Sequence, residues 1–136
     1  MSAVHRASDP LPQTFLGYRR SHGRPGIRNH LIILPVVAGA HLVAQRIAAR
    51  IPAAIAVPYL DDGVSGKEDE AMTDRVLIGA ASAPNVAAVL LVNQANDGRD
   101  SHIAHEALLR TPGRPISTDR KSTRLNSSHA NISYAV

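Results

Sequence analysis

The sequence predicts an α/β domain of Rossmann-like build, a parallel sheet whose strands alternate with helices. Three observations carry that reading. Short β-branched apolar runs at residues 31–37, 53–57 and 86–92 have the composition of strands buried on both faces. Between them, apolar residues recur at the spacing of amphipathic helices. The connections are too long for hairpins, so successive strands are expected to run parallel, joined by right-handed crossovers.

The first run, LIILPVV, carries Pro35, whose missing N–H suits a strand end or edge. Beyond Ala38 and Gly39, apolar residues at Val43, Ile47 and Ile51 predict a helix that stops before Pro52, with Arg46 and Arg50 pointing elsewhere. Residues 53–57 form the second strand, closed by Pro58. A loop with Asp61-Asp62-Gly63 follows. Ser65 and Glu68 then stand at capping-box spacing and open a helix with Met72, Val76 and Ala80 on one face. Pro84-Asn85 breaks it. Residues 86–92 (VAAVLLV) are the third and clearest strand. The polar loop 93–100 leads into a helix from Ser101 to about Arg110, with Ile103, Ala107 and Leu108 inward. After Thr111-Pro112-Gly113, residues 114–117 begin a fourth strand, and the sheet is expected to be truncated after three to four strands. No internal repeat is present.

Composition narrows the class. A chain of 136 residues has room for one domain with a modest core, and with only 3% aromatics that core must be Val, Ile, Leu and Ala. Cysteine is absent, which excludes disulfides and thiolate metal sites and fits a reducing compartment. No apolar run is long enough to span a membrane. Residues 1–14 read as a disordered lead without the apolar core of a signal peptide. A cytoplasmic protein is expected.

The C-terminal segment has a character of its own. Residues 119–129 read DRKSTRLNSSH, which matches the translation of a common short-read sequencing adapter, and residues 132–136 (ISYAV) fit the stretch after its variable index. Residues 119–136 are therefore expected to be a non-native tail, leaving residues 15–118 as the first α/β domain of a larger protein. Setting the tail aside discards an apparent glycosylation site at Asn131 and lowers the net charge from +4 to +2, since Arg120, Lys121 and Arg124 stand against Asp119. A charge of +2 is no electrostatic footprint for nucleic acid. A sheet cut short also leaves apolar surface uncovered, which predicts poor solubility.

The densest chemical signal lies just before the first strand, from Gly17 to Asn29 (GYRRSHGRPGIRN). Its three glycines permit tight turns, and Arg19, Arg20, Arg24 and Arg28 offer fork-shaped donors suited to carboxylate or phosphate. The segment reads either as an anion-gripping loop or as arginines that are solvated or paired with acids of the domain.

Gly17, Tyr18, Arg20, Gly23, Arg24, Gly26, Arg28 and Asn29 resemble the signature of the altronate/galactarate dehydratase (UxaA) family, whose members include the large-subunit branch of sulfolactate sulfo-lyase. A second family hallmark stands at Pro84-Asn85-Val86-Ala87-Ala88-Val89, and the likeness covers roughly residues 15–92. It implies a lyase that dehydrates sugar acids by β-elimination with a divalent metal, iron or manganese. A base removes the proton beside the carboxylate, a metal or cationic clamp stabilises the enediolate, and an acid assists the leaving group. By that resemblance Arg24, Arg28 and Asn29 would bind the carboxylate of a small acidic substrate; as an alternative, they brace the loop.

The departures matter as much. Where members often carry cysteine, this chain has Gly39, Asp61-Asp62-Gly63-Val64 and Ala95-Asn96-Asp97. Some of these cysteines are also missing in the sulfolactate branch, which keeps a carbon–sulfur lyase in contention. Asp61, Asp62 and His41 are the candidate replacement metal ligands, with Asp97 nearby, all at expected carboxyl ends of strands or helix starts. The plainer alternative makes Asp61-Asp62 and Asp97-Gly98 turns and His41 a surface residue. His102 and His105 read as solvent-facing, and Glu68, Asp69, Glu70 and Asp74 as a solvated helix face. Expected partners are missing C-terminal domains or a partner subunit, and a second copy of the chain is a further candidate. A diverged, non-catalytic binder of acidic ligands competes with the enzyme. A nucleotide-binding domain is disfavoured because no Gly-x-Gly-x-x-Gly follows the first strand.

Overall fold

The computed structural model describes residues 14, 16–59, 67–94 and 97–120. Among them strands and helices alternate: β1 (His30–Pro35), a 3₁₀ turn (Ala38–Ala40), α1 (His41–Ala48), β2 (Ala54–Ala56), α2 (Lys67–Ser82), β3 (Val86–Asn93), α3 (Arg99–Arg110) and β4 (Ile116–Arg120). The strands form one sheet in the order β2-β1-β3-β4, and every pairing is parallel. The parallel, Rossmann-like architecture expected from the apolar spacing is therefore the architecture found.

The winding reverses at the centre of the sheet. From β1 the chain steps outward to β2, then crosses back to β3 and continues to β4. With right-handed crossovers, the first connection and the two later ones must lie on opposite faces. The core accordingly has two parts. Ile32, Leu34 and Val36 join Val89 and Leu91 against Leu77, Ile78 and Ala81 of α2 and Ile103 and Ala107 of α3. On the other face, Ile33 and Val92 pack with Ala40 and Ala44. Strand residues alternate between the two clusters because a strand's side chains point to opposite faces in turn.

Several boundaries and faces differ from the sequence expectation. Helix α1 ends at Ala48 rather than near Pro52, and Ile51 lies in the turn beyond it, 37% exposed. Ala53 occupies the left-handed region at φ 64°, so β2 starts one residue later than expected. In α2, Met72 and Val76 face outward, 57% and 59% exposed, while Leu77, Ile78 and Ala81 are buried. Residues four apart drift about 40° around a helix at each step, so only Ala80, the last of the expected row, reaches the core. Helix α3 begins two residues early, after Gly98 at φ 76°. Strand β4 starts at Ile116 and takes in Asp119 and Arg120, opposite Val92 and Asn93. Parallel pairing uses backbone groups, so it does not read which side chains those two residues bear.

Candidate functional site

At the amino edge of the sheet, the glycine- and arginine-rich segment folds back on itself and docks beside β3. Tyr18 and Gly26 exchange backbone hydrogen bonds, Tyr18 N–H to Gly26 O at 2.7 Å and the reverse at 3.0 Å. The loop then meets Pro84-Asn85. Arg20 donates from Nε to the Pro84 carbonyl (2.7 Å), from Nη1 to Asn29 Oδ1 (2.8 Å) and from Nη2 to the Arg28 carbonyl (2.9 Å). In return, Asn85 Oδ1 accepts the backbone N–H groups of Ile27 (2.9 Å) and Arg28 (3.2 Å). Gly26 is buried in this contact, where a Cβ would collide with the Pro84 carbonyl. The two stretches that look like separate signatures are two halves of one joint.

This joint shows what surrounds Arg24, Arg28 and Asn29. Asn29 gives its amide oxygen to Arg20, and Arg28 Nη1 donates to the carbonyl of its neighbour Ile27 at 3.0 Å. Arg24 is exposed. All three precede β1, at the opposite edge from the carboxyl ends where such sheets usually bind ligands. Arg20, which residue type alone did not separate from the other arginines, is the brace. Its three partners lie on two segments, and no local spacing announces that.

The carboxyl edge carries a second polar cluster, built around the reversal point between β1 and β3. Asn93, the last residue of β3, is fully buried, and its Nδ2 donates to Asp97 Oδ1 (3.1 Å) and Asp100 Oδ1 (3.2 Å). Asp97 Oδ1 also accepts the Arg99 backbone N–H at 3.1 Å. The bond from Asn93, then that from Arg99, holds the Asp97 carboxyl below its ordinary range. Asp100 is fully buried at the start of α3, where an acid is favourable to the helix dipole.

Arg99 bridges this cluster to α2 and to the segment after β2. Its Nε meets Asp74 Oδ1 at 2.6 Å and its Nη1 reaches the Tyr59 hydroxyl at 3.3 Å. Burial works against its charge; the Asp74 and Tyr59 bonds more than offset that and raise its pKa. Nη2 is buried without a partner among the described residues. Asp74, expected on a solvated face, is thus an ion-pair partner. Across the crevice Gly39 faces Gln94, close enough that a Cβ would stand 2.7 Å from Gln94 Oε1.

Of the three candidate metal ligands, Asp61 and Asp62 lie outside the described residues. His41 begins α1, and its Nδ1 accepts the Tyr59 backbone N–H at 3.4 Å. That contact turns Nδ1 toward the backbone of the segment after β2. Asp97 and Asp74 are committed to Asn93 and Arg99. No group of three or more ligating side chains occurs among the described residues. No helix among the described residues is long and apolar enough to cross a membrane.

Comparison with known proteins gives the chain its relatives. It is 42% identical over 80 residues to the (2R)-sulfolactate sulfo-lyase subunit beta of Chromohalobacter salexigens, a match covering 59% of this chain and 21% of that protein. The chain thus corresponds to about a fifth of that relative's length. No solved structure matches it. The model of the D-galactarate dehydratase/altronate hydrolase second domain matches residues 17–117, which takes in both halves of the amino-edge joint and all three helices. The chain therefore belongs to the D-galactarate dehydratase/altronate hydrolase family, as a representative of its second domain.

Proposed function

We propose that this chain is the Rossmann-like domain of a β-eliminating lyase whose substrate is a small 2-hydroxy acid with a sulfonate on the next carbon. The observation that carries the reading is the 42% identity over 80 residues to a sulfolactate sulfo-lyase subunit. In the reaction, a base takes the proton from the carbon beside the carboxylate. The electron pair becomes the new double bond as the carbon–sulfur bond breaks, sulfite departs, and the enol product tautomerises to a 2-keto acid. A second reading, dehydration of a sugar acid of the altronate or galactarate type, is favoured by the family match and differs only in releasing water.

Substrate binding by Arg24, Arg28 and Asn29 is part of this proposal, with a condition set by geometry. These residues sit at the amino edge, so the substrate carboxylate would have to lie there, against another part of the full-length protein. Arg24 and Arg28 would supply the charge, and Asn29, whose amide oxygen is held by Arg20, would offer its Nδ2 donors. A divalent iron or manganese ion would need ligands beyond the described residues, such as Asp61 and Asp62, and no step is assigned to it. A partner subunit also belongs to the proposal: the relative is a beta subunit, and α2 turns Met72 and Val76 outward.

The test is an assay of the full-length protein, with its partner subunit where one exists, for sulfite release from sulfolactate and for 2-keto-3-deoxy acid formation from altronate and galactarate. Sulfite release supports the first reading, and dehydration the second. Turnover of none of the three, with and without added iron or manganese, rejects the lyase. In an active enzyme, Arg24→Gln and Arg28→Gln are expected to raise KM about tenfold or more.

A further inference from the structure

A cavity of about 150 Å³ opens at the amino edge, between the arginine-rich loop and the turn that leads into β4. Arg19, Arg20 and His22 line it from the loop, and Arg114 lines it from the turn. No acidic residue is among its lining groups. The two walls are tied by Ser21, whose Oγ donates to the Pro112 carbonyl at 2.7 Å.

Arg114 is the unusual member. It is 8% exposed, and its Nη1 donates to the Ala81 carbonyl at the end of α2. No carboxylate pairs with it among the described residues. A buried cation without a counter-charge is costly, and here a second cation, Arg20, stands close enough to oppose it. Arg20 has committed its fork to Pro84, Asn29 and Arg28, so it adds charge to the cavity more than donors. Arg19 makes no hydrogen bond or ion pair among the described residues. A volume of 150 Å³ is room for about five waters, enough for a small oxyanion.

We propose that this cavity binds a small oxyanion group, a carboxylate, sulfate or phosphate, held between Arg114 and Arg19 in the field of Arg20. The guanidinium of Arg114 supplies directional donors on the buried side, and Arg19 closes over the ligand from the exposed side. This site does not rest on the lyase reading, and either can fail alone.

The experiment titrates the purified chain with sodium sulfate, sodium phosphate and sodium glycerate, each against sodium chloride at matched ionic strength. Binding is followed by calorimetry and by the amide resonances of Ala87 and Gly113. Saturable binding of at least one anion is expected, and the tightest of the three identifies the source of the oxyanion. Arg114→Lys is expected to weaken binding about tenfold or more, since a point charge replaces the fork. Arg19→Gln, which removes no contact of the fold, is expected to weaken it about two- to fivefold. Arg50→Gln, beyond α1, should leave it unchanged. Failure of all three anions to bind saturably overturns the proposal, as does wild-type affinity in both Arg19→Gln and Arg114→Lys.

Discussion

Replacing Arg20 with lysine keeps the charge at the amino-edge joint and removes the fork that closes it. Three donors on one planar group reach Pro84 O, Asn29 Oδ1 and Arg28 O at 2.7, 2.8 and 2.9 Å. An ammonium on a flexible stem can replace one of these bonds in a given pose, so two are lost. At a partly exposed site each is worth about 1 kcal/mol net, which puts the cost of Arg20→Lys at about 2 kcal/mol. For a domain of this size that lowers Tm by on the order of 10 °C. Urea unfolding followed by circular dichroism measures it, with the m-value unchanged because the same surface is exposed on unfolding. Arg24→Lys is the control: the same chemical change in the same loop, at a side chain that makes no such bond among the described residues, should fall within about 0.5 kcal/mol of wild type. If Arg20→Lys also falls within that range, the fork does not hold the two segments together and the reasoning is wrong.

Three further outcomes follow from particular backbone and side-chain positions. Gly26→Ala drives a Cβ into the Pro84 carbonyl, which is backbone and cannot swing aside; a loss of about 1–3 kcal/mol in urea unfolding is expected, and a neutral result would show that the loop shifts freely. Ala53→Gly relieves a left-handed alanine at φ 64° and, after the added freedom of the unfolded chain, should stabilise by about 0.5–1 kcal/mol; destabilisation would contradict that backbone geometry. Asp97, held below its ordinary pKa of 3.8, contributes stability that is fully present above that value and lost as pH falls through its lowered folded value. In Asp97→Asn the urea midpoint should therefore lose part of its acid-side slope, and a slope identical to wild type would mean that Asn93 and Arg99 do not favour the carboxylate.

Much of this protein is written locally. Short β-branched runs bounded by proline, glycine and polar turns could bury themselves only as strands of a parallel sheet, because the segments between them had helical spacing and ample length. Ile103 and Ala107 were legible as core residues from that spacing alone. The family, too, was legible from Gly17 to Asn29 and Pro84-Asn85. What those residues do for one another was not. Arg20, Gly26, Pro84 and Asn85 meet only because β1 and β3 are neighbours, and strand order depends on which crossover packs on which face. Arg99 meets Asp74 because α2 and α3 pack side by side on one face of the sheet, so that an acid expected on a solvated helix face becomes the partner of a partly buried cation. Met72 and Val76 kept the right period and missed the core, since period sets a row on a helix while the neighbouring sheet and helix set which row is covered. Pattern along the chain determined which elements form. Packing between them, which couples residues up to 91 positions apart, decided which arginine closes the joint and which stay exposed.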